Sequence, residues 1–84
     1  MTKTYLITGE SCSNCDMLKK MLNIMKLSVD GEINAHSKQG SEYISTVRAR
    51  SIPVLVKVDD SGKVVGSVIG IHHTDEAFRE VCSV

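Results

Sequence analysis

Cys12-Ser13-Asn14-Cys15 sets two thiols three positions apart, between the apolar run Tyr5-Leu6-Ile7 and a Met/Leu-rich stretch with helical spacing. At a helix start, such a pair can close a disulfide within one turn. A helix N-terminus also offers unpaired backbone N–H groups and a partial positive charge, and both favour a thiolate. The thiolate is the species that attacks a disulfide, so this placement points to redox chemistry. Position divides the work. Cys12, at the exposed helix end, attacks, and Cys15, one turn inside, resolves the mixed disulfide. Two thiolates can instead bind a soft ion such as Cu(I), which makes a copper carrier the alternative reading.

The remaining residues of chemical interest read more plainly. Cys82 falls on the apolar side of a terminal helix and is a buried thiol. His72 and His73 are adjacent and point in different directions, so sharing one ion with His36 is awkward. They read as a turn lining the thiol groove or as solvated side chains, and no metal site is expected. Met17, Met21 and Met25 have core spacing on a helix. Lys19, Lys20 and Lys26, with Asp16 in the first turn, read as a solvated face ordered favourably for the helix dipole. Glu10 reads as a solvated loop acid.

The elements that must position these residues follow from periodicity and turn chemistry. Thr4 to Thr8 is a buried strand ended by Gly9. A helix starts near Cys12 or Ser13 and presents Met17, Leu18, Met21, Leu22 and Met25 as its apolar face. Glu32 to His36 is a weak second strand. Gly40-Ser41 opens a second helix, with Ser41 as N-cap, and Tyr43, Ile44 and Val47 share one face. Arg48 and Arg50 lie in its last turn, and Ser51-Ile52-Pro53 ends it. Val54 to Val58 is the most strand-like segment. Asp59 to Gly62 turns it into a return strand, Val64 to Ile71. Thr74 caps a final helix carrying Asp75 and Glu76 in its first turn and Ala77, Phe78, Val81 and Cys82 on its apolar side.

The order βαβαββα implies an α/β domain with a four-stranded mixed sheet and helices on both faces. The first and third strands are expected to be central and parallel. Pro53 opens a strand beside the one that leads into the cysteines. A cis Ile52-Pro53 bond there would face Cys12 and leave the Ile52 backbone free to pair with an extended segment of a partner.

Bulk numbers narrow the function classes. The 84 residues carry ten Lys+Arg and ten Asp+Glu, so no basic excess argues for nucleic acid. No apolar run approaches the ~18 residues of a membrane span. Three cysteines, an odd number, with no signal-peptide pattern at the N-terminus, suit a reduced cytoplasmic setting rather than a disulfide framework. The expectation is one domain over residues 1–84, acting as a monomer.

With these motifs placed, the chain resembles the thioredoxin superfamily, in its short glutaredoxin-like or phage-type redoxin branch. The residues that carry the resemblance are Cys12-Ser13-Asn14-Cys15 after the first strand, Ser51-Ile52-Pro53 before the third, Asp59 to Gly62 at the hairpin turn, and Gly70 before the last helix. The resemblance implies thiol–disulfide oxidoreductase activity, a nucleophile at Cys12, a resolving thiol at Cys15 and a cis-proline at Pro53. It implies substrate contacts from Ser13, Asn14, Ile52, Pro53, Gly70 and Ile71, and no bound cofactor beyond a redox-active Cys12–Cys15 disulfide. The implied partners are a disulfide-containing protein, with ribonucleotide reductase as one recipient, and thioredoxin reductase or glutathione as electron donor. Glu10 stands where glutaredoxins usually carry a Lys or Arg that holds glutathione's carboxylate. The chain also has no Trp for thioredoxin's Trp-Cys-Gly-Pro-Cys signature, so the donor stays open.

Overall fold

A computed structural model describes residues 2–82. In chain order the elements are β1 (Lys3–Thr8), α1 (Ser13–Ile24), β2 (Gly31–Asn34), α2 (Lys38–Val47), β3 (Val54–Val58), β4 (Val64–Ile69) and α3 (Asp75–Cys82). The four strands form one sheet in the order β2-β1-β3-β4. This is the expected βαβαββα arrangement.

β1 and β3 read as continuous apolar runs because both of their faces are covered. Leu6 and Leu55 point into one cluster with Leu18 and Leu22 of α1 and Phe78, Val81 and Cys82 of α3. Ile7, Val54 and Val56 point the other way, against Tyr43, Ile44 and Val47 of α2. The sheet is therefore sandwiched, with α1 and α3 on one face and α2 on the other. Thr4 Oγ1 donates to the Val81 carbonyl at 2.6 Å, which ties the last turn of α3 to β1. Among the described residues no helix is long and apolar enough to cross a membrane.

One expectation is overturned. β1 pairs with β2 in parallel, but β1 and β3 are antiparallel, with Ile7 opposite Val54 and Lys3 opposite Val58. Parallel pairing would require the β2–β3 connection to travel back along the sheet. Here β2 ends at Asn34, level with Thr8, and β3 begins at Val54, level with Ile7. The connection therefore starts and finishes at the same edge. The consequence is functional: antiparallel pairing puts Pro53 at the sheet end that leads into Cys12, whereas a parallel β3 would have started at the far end.

Local differences have physical causes too. The N-cap of α2 is Ser37, not Ser41: its hydroxyl accepts from the Gly40 N–H at 3.0 Å, so the helix begins four residues earlier. Gly40 lies inside α2 because of close approach. A Cβ there would sit 2.1 Å from the Asn34 carbonyl oxygen. The helix stops at Val47 because Arg48 adopts a left-handed conformation (φ 58°), well before Pro53. β2 ends at Asn34 rather than His36, where the Asn34 side chain accepts from the His36 N–H at 2.7 Å and turns the chain. β4 ends at Ile69 rather than Ile71, since Gly70 has φ 83°. Met17 is 49% exposed and sits outside the core face to which its spacing assigned it.

Gly40 allows a test in which two effects have opposite signs. Helix propensity alone makes Gly40→Ala stabilising by about 1 kcal/mol. The clash with the Asn34 carbonyl, a backbone atom, makes it destabilising by about 2 kcal/mol. We expect the urea midpoint to fall; a midpoint that rises would show that α2 and the end of β2 are not packed this closely.

Candidate active site

The site is built at the end of the sheet where β1 and β2 finish and β3 begins. β1 delivers the chain to Gly9-Glu10-Ser11, an exposed turn apart from the half-buried Gly9. Cys12 follows in an extended conformation (φ −106°, ψ 99°) and serves as the N-cap of α1. Its sulfur accepts a hydrogen bond from the Cys15 N–H at 3.0 Å, the place a Ser or Asp oxygen takes at an ordinary cap. A disulfide joins Cys12 and Cys15, with Cα atoms 5.2 Å apart. Cys15 is buried at 2% exposure, while Cys12 is half-buried. Cys15 shares its helix face with Leu18 and Leu22, which anchor that side in the core.

The other residues singled out from sequence fall as follows. Ser13 and Asn14 are exposed on the first turn of α1. The Ile52–Pro53 bond is cis, and Pro53 is buried. Ile52 reaches toward the turn before the cysteines: a Cβ on Gly9 would lie 2.7 Å from Ile52 Cδ1. Among the described residues, neither amide group of Ile52 takes a hydrogen-bond partner. The Gly70 N–H donates to the Pro53 carbonyl at 2.8 Å, which brings those two loops together. Ile71 is half-buried and packs against the α1/α3 cluster. A cavity of about 250 Å³ lies on the α2 side of Ile52, between His36, Ile44 and Arg50. Among the described residues, no group of three or more His, Cys, Asp or Glu is placed to hold a metal ion.

Two features were not anticipated from sequence. First, Glu32 on β2 accepts from the Thr8 hydroxyl at 2.9 Å and pairs with Lys19 Nζ at 3.0 Å. One carboxylate thus joins the last residue of β1, the second turn of α1 and β2, the three elements that frame the cysteines. The Lys19 hydrogen bond first, then the Thr8 hydroxyl, holds the Glu32 carboxyl below its ordinary range. The signal in the sequence was the parallel register that sets β2 beside β1, which spacing alone does not reveal. Second, His73 Nε2 bonds to the Ile69 carbonyl, and its ring meets Phe78 edge-on with centroids 5.9 Å apart. Cys82, the third cysteine, is buried in the core, and burial pushes its thiol up, so it stays protonated and unreactive at neutral pH.

No protein-family model matches the chain, and no curated protein matches it by sequence. Solved structures do match. A putative disulphide-isomerase from Bacteroides thetaiotaomicron superposes with a TM-score of 0.68 at 18% identity, over 96% of this chain and 74% of that one. A thioredoxin from Thermus thermophilus gives 0.62 at 18%, over 95% and 70%. The reduced thioredoxin pre-protein of Schistosoma mansoni gives 0.59 at 14%, over 82% and 66%. The chain has the thioredoxin-superfamily fold. It spans about two thirds to three quarters of the length of these proteins, and at these identities the likeness is one of fold.

The Glu32 linkage has a pH signature. A carboxyl whose folded value is depressed contributes stability that is full above its unfolded value and is lost as pH falls through the folded one. Wild-type stability should therefore decline on acidification through the carboxylate range, and Glu32→Gln should shrink that decline. Both proteins losing stability in parallel across this range, by urea denaturation at each pH, would show that Glu32 is not coupled to folding.

Proposed function

We propose that this chain is a thiol–disulfide oxidoreductase that reduces disulfides of partner proteins by dithiol exchange through Cys12 and Cys15. The observation that carries the reading is the sulfur of Cys12 at the N-cap of α1, accepting from the Cys15 N–H. When the disulfide is reduced, a negative charge on that sulfur lies at the positive end of the helix and within reach of its unpaired N–H groups. Its neighbour is buried, so the two thiols differ in access as their two roles require.

The reaction then balances in two exchanges. The Cys12 thiolate attacks one sulfur of the partner's disulfide; a Cys12–partner bond forms and the other partner sulfur leaves as a thiolate that takes up a proton. The Cys15 thiol loses its proton and attacks Cys12 Sγ. The mixed bond breaks, the second partner sulfur leaves and is protonated, and the Cys12–Cys15 disulfide remains. Two electrons have passed to the partner, and the chain is left in the state described above.

The surrounding loops suit capture of an extended segment. The unpartnered amide groups of Ile52 can pair with a partner strand. Pro53, Gly70 and Ile71 form one side of the groove, and Ser13 and Asn14 the exposed helix turn at the other. The electron donor in this reading is thioredoxin reductase or glutathione, and ribonucleotide reductase is a recipient. An odd cysteine count with the third thiol inert inside the core suits a cytoplasmic, reducing setting for a monomer.

Reduction of insulin driven by dithiothreitol tests the reading. Cys12→Ser should abolish turnover. Cys15→Ser should still attack but stall, accumulating a mixed disulfide from which the cellular partner can be identified. Insulin reduction that survives Cys12→Ser would overturn the reading.

A further inference from the structure

His73 lies in the loop between β4 and α3, directly before the Thr74 hydroxyl that accepts from the Ala77 N–H at the start of α3. Its Nε2 is bonded to the carbonyl oxygen of Ile69. A carbonyl oxygen can only accept, so this ring nitrogen carries the proton and donates. The imidazole is held in orientation by Phe78, which is fully buried and meets it edge-on.

The Ile69 carbonyl and the Gly70 N–H belong to a single peptide group. At its other end, that group donates to the Pro53 carbonyl at 2.8 Å. A continuous path therefore runs from the core through Phe78 and His73, across the Ile69–Gly70 peptide, to Pro53. Hydrogen bonds in series polarise one another, so donation to the carbonyl end strengthens donation from the N–H end.

The strand itself does not need this contact. Gly70 pairs inward with Pro53, so the alternating ladder turns the Ile69 carbonyl outward from the free edge of β4, where water can satisfy it. The imidazole thus does something other than complete the sheet. It bonds the peptide whose other end holds Gly70 against Pro53.

We propose that His73 is a positioning residue for partner capture, acting through the Ile69–Gly70 peptide to keep Pro53 and Gly70 in register for the incoming segment. This rests on the oxidoreductase reading above. His73 touches neither sulfur, so it bears on capture and leaves the thiol chemistry unaltered. His72 and His73 are both exposed, and of the two it is His73 that bonds into the path.

The experiment compares His73→Ala, which removes the donor, with His73→Gln, whose amide can donate to the same carbonyl. Three quantities are read on the full chain: KM and kcat for insulin reduction, the midpoint potential of the Cys12–Cys15 couple, and the amide proton shift of Gly70. His73→Ala should raise KM roughly fivefold, the effect of one lost hydrogen bond, with kcat within about twofold. The midpoint potential should stay put and the Gly70 amide proton should move upfield. His73→Gln should recover both KM and the Gly70 shift. Wild-type turnover with unchanged KM in His73→Ala overturns the proposal and leaves the oxidoreductase reading intact. An altered midpoint potential overturns it as well, because the residue would then act on the thiols. Absence of turnover in the wild type overturns the oxidoreductase reading and this proposal with it.

Discussion

One hydrogen bond, from the Cys15 N–H to the Cys12 sulfur, serves both the fold and the proposed chemistry. For the fold, it closes the first turn of α1 by satisfying a backbone donor that the helix cannot satisfy itself. For the chemistry, it marks where a negative sulfur is best accommodated, at the positive end of the helix. A cap and a nucleophile ask for the same geometry, and cysteine is one of the few side chains that can be both. The rest of the molecule holds that turn in place. Cys15, Leu18 and Leu22 bury one face of α1, and from another Lys19 reaches across to Glu32, which also accepts from the Thr8 hydroxyl.

The second constraint is the direction of β3. Because β3 runs antiparallel to β1, its first residues arrive at the end of the sheet that β1 leaves. Pro53, Ile52 and the turn containing Gly9 meet there, and β4, paired with β3, brings Gly70 to the same place. Three chain segments distant in sequence thus meet at one end of the sheet, beside the turn that leads into the disulfide. Each adjoins the end of a strand held by ordinary sheet pairing.

Much of this was legible in the residues, and the failures have recognisable causes. Cys12 and Cys15 at a helix start, the Asp59–Gly62 turn and the Thr74 cap were readable because each depends on side-chain chemistry within four residues. Gly40 was misread because glycine's local meaning, a helix breaker, differs from its tertiary one, a place where the Asn34 carbonyl comes close. Met17 was misread because α1 has more apolar residues than its buried face needs. The direction of β3 could not be read locally, since it depends on the path of the whole α2 connection. The Glu32–Thr8–Lys19 linkage and the His73 contact are likewise products of register and loop closure.

The claim on which the account turns is that the helix start lowers the pKa of Cys12. The most direct measurement is the pH dependence of the alkylation rate of Cys12 in the reduced protein, assigned by peptide mass mapping so that Cys15 and Cys82 are counted separately. The account predicts an inflection below the value of about 8.5 for an unperturbed thiol. An inflection at or above the unperturbed value would mean that the cap does not favour the thiolate, and it would contradict the assignment of Cys12 as the attacking sulfur.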